Sequence, residues 1–133
     1  MVPMDYTVAT DKPVSEAIKA LQAALEEHKF SALWHLHVNE KLREKGFVLE
    51  PDFHIFEVCN PAKAKQALET DQKVGYLLPC KIVVYADRVD GHRTKIGLLR
   101  PQVLMGLLGD ERLRDLANEV EQELRAVVDA AAR

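Results

Sequence analysis

The feature that most constrains this fold is an apolar stripe near the end of the chain. Leu113, Leu116, Ala117, Val120, Leu124, Val127, Val128 and Ala131 recur three or four positions apart, so one long helix carries them all on one face. Such a face needs a broad apolar surface beneath it. The chain supplies one in the segments 80–86 and 93–99, which read as a β-hairpin around Asp90-Gly91, a pair suited to a tight turn. A second amphipathic helix, from Pro13 to about residue 28, places Val14, Ala17, Ile18, Leu21 and Leu25 on one side. Helices at both ends and strands between them predict an α+β two-layer sandwich, with a mostly antiparallel sheet and helices packed on one face. With 133 residues, a single domain over 1–133 is expected.

The remaining elements follow from alternation and punctuation. Met4 to Thr10 reads as a strand, and Thr10 or Asp11 as the cap of the helix that Pro13 opens. Phe30 to Val38 is a second strand. Strict alternation would send Ala32, Trp34, Leu36 and Val38 one way and Leu33, His35 and His37 the other. Asn39 can cap a short helix ending near Lys45 and Gly46, and Phe53 to Val58 is a third strand. Asn60 and Pro61 begin a helix to about Thr70, and Asp110 is the expected cap of the last one.

The hairpin is apolar on both faces: Ile82 and Val84 oppose Val83 and Tyr85, and Ile96 and Leu98 oppose Leu99. One helical layer covers only one set. A second subunit or a ligand is the expected cover for the other, and a homodimer is favoured because two-fold dimers are the commonest oligomers. A net charge of -3 and the lack of a polybasic run argue against nucleic-acid and membrane-surface partners. The opening residues are not basic and no apolar run is long enough to span a bilayer, so a cytoplasmic location is expected, with both cysteines reduced.

Chemistry is most concentrated at two proline-stiffened junctions, Glu57-Val58-Cys59-Asn60-Pro61 and Gly75-Tyr76-Leu77-Leu78-Pro79-Cys80. Asn60 and Pro61 are preferred helix-start residues, and cysteine is a good small core residue, so packing alone accounts for the first triplet. The functional alternative is that Cys59, just before a helix N-terminus, sits where a thiolate or an anion is stabilised. Cys80 beside it would complete a pocket if the strands bring the two together. Arg100, at the end of the last strand, could reach an anion there. The expected ligand-binding set is therefore Cys59, Asn60, Pro61, Pro79, Cys80 and Arg100, with Leu77, Leu78 and Tyr85 as apolar walls and a small anion as ligand.

His35 and His37 share a strand face at a spacing that suits one Zn²⁺ or Cu²⁺. Glu57, or Cys59, is the expected third ligand from a neighbouring strand. Without such a ligand the pair is a partly solvated polar strand face. No cofactor is otherwise evident. His54 and His92 read as isolated strand-edge and turn residues. No nucleophile-elbow serine and no glycine-rich phosphate loop is present.

Several of these pieces together resemble the DUF302 family, a domain of unknown function. They are Tyr6-Thr7-Val8, Ala17-Ile18, Phe30, Lys41-Leu42 with Lys45-Gly46, Glu57-Val58-Cys59-Asn60-Pro61, Val74-Gly75 with Leu78-Pro79-Cys80, Val83-Val84-Tyr85 and Arg100-Pro101. The likeness spans about residues 4 to 105. It implies a TATA-binding-protein-like α+β architecture and a tendency to dimerise, and it implies no reaction. One departure is Lys29-Phe30, where family members often carry glycine before the phenylalanine. The expected function is a homodimeric domain binding a small ligand or ion near the two cysteines. The alternatives are a thiol enzyme or redox sensor using Cys59, and a purely structural interaction module.

Overall fold

A computed structural model describes residues 2–133; Met1, where the expected domain begins, lies outside them. Five strands and five helices follow in the order β1 (Asp5–Thr10), α1 (Val14–Glu27), β2 (Ser31–His37), α2 (Val38–Glu44), β3 (Phe53–Cys59), α3 (Pro61–Thr70), β4 (Cys80–Ala86), β5 (Thr94–Leu99), α4 (Pro101–Gly106) and α5 (Arg114–Ala132). Short 3-10 turns at Gln72–Tyr76 and Glu111–Leu113 precede β4 and α5. The strands form one sheet in the order β1-β5-β4-β3-β2, and every neighbouring pair is antiparallel. This is an α+β protein with its helices packed against a five-stranded antiparallel sheet.

Register explains where the core lies. One row crosses all five strands as Tyr6, Leu98, Ile82, Phe56 and His35; the next runs Val8, Ile96, Val84, His54 and His37. Phe56, Ile82, Val84 and Ile96 are fully buried, against Ala17 and Leu21 of α1 and Leu124, Val127 and Val128 of α5. Each large side chain so removed from water contributes about 2 kcal/mol. All eight residues of the predicted C-terminal stripe are buried. Both rows end in imidazoles at β2, and the second has already turned polar at His54 of β3.

Strict alternation fails in β2. Ala32 pairs with Val58 but Trp34 pairs with Glu57, so a bulge falls at Leu33. An extra residue at a bulge shifts the side-chain phase. Beyond it, His35 and His37 face the helices, while Trp34 and Leu36 join Glu57 and Ile55 on the outer face. Ala32 therefore does not share a face with Trp34 and Leu36.

Local capping accounts for most element ends. Asn60 caps α3, its side chain accepting from the Lys63 backbone N–H at 3.2 Å. Asp110 accepts from the Arg112 N–H, but it caps the 3-10 turn leading into α5 rather than α5 itself. At α1, neither Thr10 nor Asp11 is the cap: Pro13 occupies that position, and the Thr10 hydroxyl donates instead to the Ala132 carbonyl. The α1 C-terminus closes with Phe30 N–H on the Leu25 carbonyl and Lys29 N–H on the Glu26 carbonyl, which is a Schellman motif. Lys29 takes the left-handed position at φ 63, where glycine would carry no steric penalty.

On the outer face, Gly97 lies beneath Thr7; a Cβ at Gly97 would meet the Thr7 hydroxyl at 2.5 Å. Phe53 and Tyr85 stack with ring centroids 5.0 Å apart on the same face. No described helix is long and apolar enough to cross a membrane.

Candidate functional site

The imidazoles that end the two core rows meet a carboxylate. Asp52 immediately precedes β3, His54 is its second residue, and His37 ends β2 directly opposite His54. Asp52 Oδ1 lies 2.7 Å from His37 Nε2 and 3.1 Å from His54 Nε2. The His37 and His54 rings stack at 4.2 Å. His54 Nδ1 is 2.9 Å from His35 Nε2, and His35 stacks on buried Phe56 at 4.2 Å. Glu40 Oε1 stands 3.5 Å from His37 Nδ1. Side-chain exposure rises from 10% at His54 to 30% at His37 and 43% at Asp52, so the cluster is anchored in the sheet and open to solvent at one end.

The backbone delivering Asp52 is held by Asn39. Asn39 lies inside α2, not at its cap, and is buried. Its amide donates to the carbonyls of Leu49 and Pro51 at 2.8 and 3.0 Å and accepts the Phe53 N–H at 2.7 Å. Those three bonds fix the loop entering β3.

Hydrogen-bond logic assigns the protons. An ionised Asp52 only accepts, so both Nε2 atoms that face it are donors. His54 Nδ1 is then bare and accepts from His35 Nε2–H. Burial lowers the pKa of His54 below the usual 6.5, with Asp52 pulling the other way. Burial, and after it the neighbouring imidazoles, also lowers His35. The His37, Asp52 and His54 donor atoms lie within 4.8 Å of one another, which makes this the one group among the described residues with metal-ligand spacing.

The expected third ligand is corrected here. Glu57 pairs with Trp34 on the outer face, whereas His35 and His37 face the helices, because the bulge moves the histidines to the other side. Cys59 shares the odd-numbered positions of β3 with Glu57 and lies at the far end of that strand. His54 is neither isolated nor at an edge: β3 is an interior strand and His54 is buried. His92 is an exposed turn residue, as expected. The signal that could have marked His54 is its parity, since it alternates with Phe56 and Val58 at positions that belong to the core. Asp52 carried no such signal.

The two cysteines border one cavity from strand positions of opposite parity. Cys80 stands opposite Val58, one residue from Cys59, and both line a cavity of about 40 Å³ with Asn60, Leu78, Lys63 and Met105. Pro61, Pro79, Leu77 and Arg100 are not among the lining residues, and Tyr85 is on the outer face. Arg100 Nε donates instead to buried Glu121 at 3.0 Å, and Lys63 Nζ is held by Glu119 at 2.6 Å. Both cations near the cavity are thus already paired. Burial raises the Cys59 pKa, and burial with the adjacent Cys59 pushes Cys80 up to about 11. Neither thiol is poised as a thiolate nucleophile.

No curated protein matches the chain. A solved structure described as an uncharacterized conserved protein DUF302 from Bacillus stearothermophilus is 39% identical, covers 99% of this chain and 100% of its own, and superposes with a TM-score of 0.92. The model of the family described as a domain of unknown function, DUF302, matches residues 6–131. The resemblance read from the cysteine-asparagine-proline and leucine-proline-cysteine segments is therefore a relationship over nearly the whole chain, which belongs to the DUF302 family.

Proposed function

We propose that this domain binds a divalent first-row transition-metal ion through His37 Nε2, His54 Nε2 and Asp52 Oδ1. The observation that supports it is the convergence of two imidazole nitrogens on one carboxylate oxygen. Two imidazoles and a carboxylate suit Zn²⁺ and its neighbours, with a further position left to water or a small ligand. Ligand atoms about 2.05 Å from a tetrahedral ion are about 3.3 Å apart. The present spacings of 2.7 and 3.1 Å need to open by about 0.6 and 0.2 Å to reach that separation.

Metal binding requires both Nε2 protons to move to Nδ1. At His54, Nδ1–H then donates to His35, reversing their bond; at His37, Nδ1–H faces Glu40. Such outer partners orient ligating imidazoles.

Two other features belong to the same reading. A second copy covers the outer sheet face, supported by the partly buried Phe53, Ile55, Val83, Tyr85 and Leu99 on it. A TATA-binding-protein-like arrangement is supported by the element order, and the net charge of -3 speaks against carrying DNA binding over with it.

The test is titration of chelator-treated protein with Zn²⁺ and Co²⁺. One equivalent should bind, raise the melting temperature and, with Co²⁺, give a visible d–d spectrum; His37→Ala and His54→Ala should abolish all three. No uptake by the wild-type chain would end the proposal.

A further inference from the structure

We propose how the second copy seats: the two-fold axis runs across the strands, and Trp34 of each chain enters an apolar groove on the other. The inference rests on the second-copy reading above and adds the docking geometry to it.

The outer face is a grid of three rows. The first runs Trp34, Glu57, Lys81, Leu99 and Asp5; the middle runs Leu36, Ile55, Val83, Gly97 and Thr7; the third runs Phe53, Tyr85, Lys95 and Ala9. A groove of about 490 Å³ opens beside the third row, a size that takes small organic molecules, so an indole ring fits. Val38, Leu49, Pro51 and Val89 wall it together with the stacked Phe53 and Tyr85 rings. Trp34 is the chain's single tryptophan and is 49% exposed at the other end of the same face. Tryptophan brings a large apolar area and is enriched among the residues that anchor interfaces.

Charge decides how two such faces meet. Two-fold symmetry with aligned sheets leaves two arrangements. An axis along β4 lays each row on itself. It sets Lys81 on the partner's Lys81, Trp34 on the partner's Asp5 and Phe53 on the partner's Lys95. An axis along the middle row exchanges the first row with the third and keeps each strand over its own copy. Trp34 then faces the partner's Val38 and Phe53, at the groove. Lys81 faces the partner's Tyr85 ring, and Asp5 falls next to the partner's Lys95. The middle row, which carries no charge, meets itself. Like charges juxtaposed across an interface are strongly disfavoured, whereas a lysine over an aromatic face is attracted. Complementarity therefore favours the axis across the strands, and that axis delivers the tryptophan to the groove.

The test uses the full chain and the emission of Trp34. As concentration rises through the monomer–dimer transition read by light scattering, the emission should move to shorter wavelength and become protected from acrylamide. Trp34→Ala should weaken the dimer by about tenfold or more. Val89→Glu alters a side chain 94% exposed in the single chain, at the end of the face opposite Trp34. It should weaken the dimer similarly and return Trp34 to its monomer emission, an effect that must pass between copies. Lys81→Ala should not tighten the dimer. A dimer whose Trp34 stays open to acrylamide, or that Trp34→Ala leaves as tight as the wild type, would overturn this geometry while the second copy stands. A tighter Lys81→Ala dimer would do the same, since it marks the axis along β4. A wild-type chain that stays monomeric would remove the second copy and the geometry together.

Discussion

Asn39 Oδ1 accepts the backbone N–H of Phe53 at 2.7 Å, tying the short helix after β2 to the first residue of β3. Between those two residues lies the loop that presents Asp52. Asn39→Ala removes this bond and the two that the amide donates to Leu49 and Pro51. Leaving buried backbone groups unpaired costs about 1–3 kcal/mol. We expect a lower melting temperature and weaker zinc binding, with Asp52 itself unchanged. If Asn39→Ala melts lower but binds zinc as tightly as the wild type, Asn39 supports the fold and not the site.

His35 makes a separable prediction. It touches the proposed metal only through His54 Nδ1, at 2.9 Å. Loss of such an outer partner typically costs about 10–100-fold in metal affinity. His35→Ala should therefore bind one equivalent of zinc with affinity reduced in that range, while His54→Ala binds none. His35→Gln, whose amide can accept the same N–H, should recover part of the loss. Equal affinity in all three would show that His35 is a bystander.

What could be read from the chain divides along the range of the interactions. The α5 stripe and the Asn60 cap are written within a few residues, so both were legible. The candidate metal group was half legible. His37 lay in a visible alternation, but its partners depend on a bulge at Leu33 and on a loop pinned by Asn39. Neither leaves a periodic trace. Glu121 is the opposite case, a charged residue at 0% exposure within the apolar helix face, hidden because its partners come from elsewhere. Arg100 reads as a ligand-binding residue from the sequence for the same reason: nothing local indicates that it serves Glu121.

Glu121 should govern much of the acid sensitivity. Burial alone would raise its pKa, but hydrogen bonds from Arg100, the Gln102 N–H and Arg125 outweigh burial and hold it below the usual carboxylate value. A carboxyl depressed in the folded state contributes stability above its unfolded pKa, and that contribution is lost as pH falls through the folded value. The wild type should therefore lose stability progressively below about pH 4.3, the unperturbed glutamate value. Glu121→Gln should cost about 3 kcal/mol at neutral pH, since it strands two arginines against a buried site. It should also flatten the acid limb of a denaturation series; an acid limb identical to the wild type would assign the effect to other carboxyls.

Lys29 predicts a gain. A non-glycine residue in the left-handed region carries about 1–2 kcal/mol of steric cost, part of which glycine returns as unfolded-state entropy. The Schellman bonds around Lys29 are all main-chain and survive substitution. Lys29→Gly should stabilise the domain by about 0.5–1 kcal/mol, seen as a higher midpoint in urea with an unchanged slope. A lower midpoint would mean that the lysine side chain makes a contribution larger than its backbone strain.

The outer sheet face carries the last prediction. Val83 lies at its centre between Ile55 and Gly97, with Phe53 stacked on Tyr85 alongside and Trp34 49% exposed toward the edge. Glu57 sits directly across from Lys81, so a two-fold partner meets charges of both signs at the margin of an apolar centre. Light scattering on the purified chain should return twice the mass of one chain. Val83→Glu, which places a carboxylate at that centre without entering the helix-side core, should return the monomer mass with the circular-dichroism spectrum intact. A wild-type chain that is monomeric across the micromolar range would leave this face without a second copy to cover it.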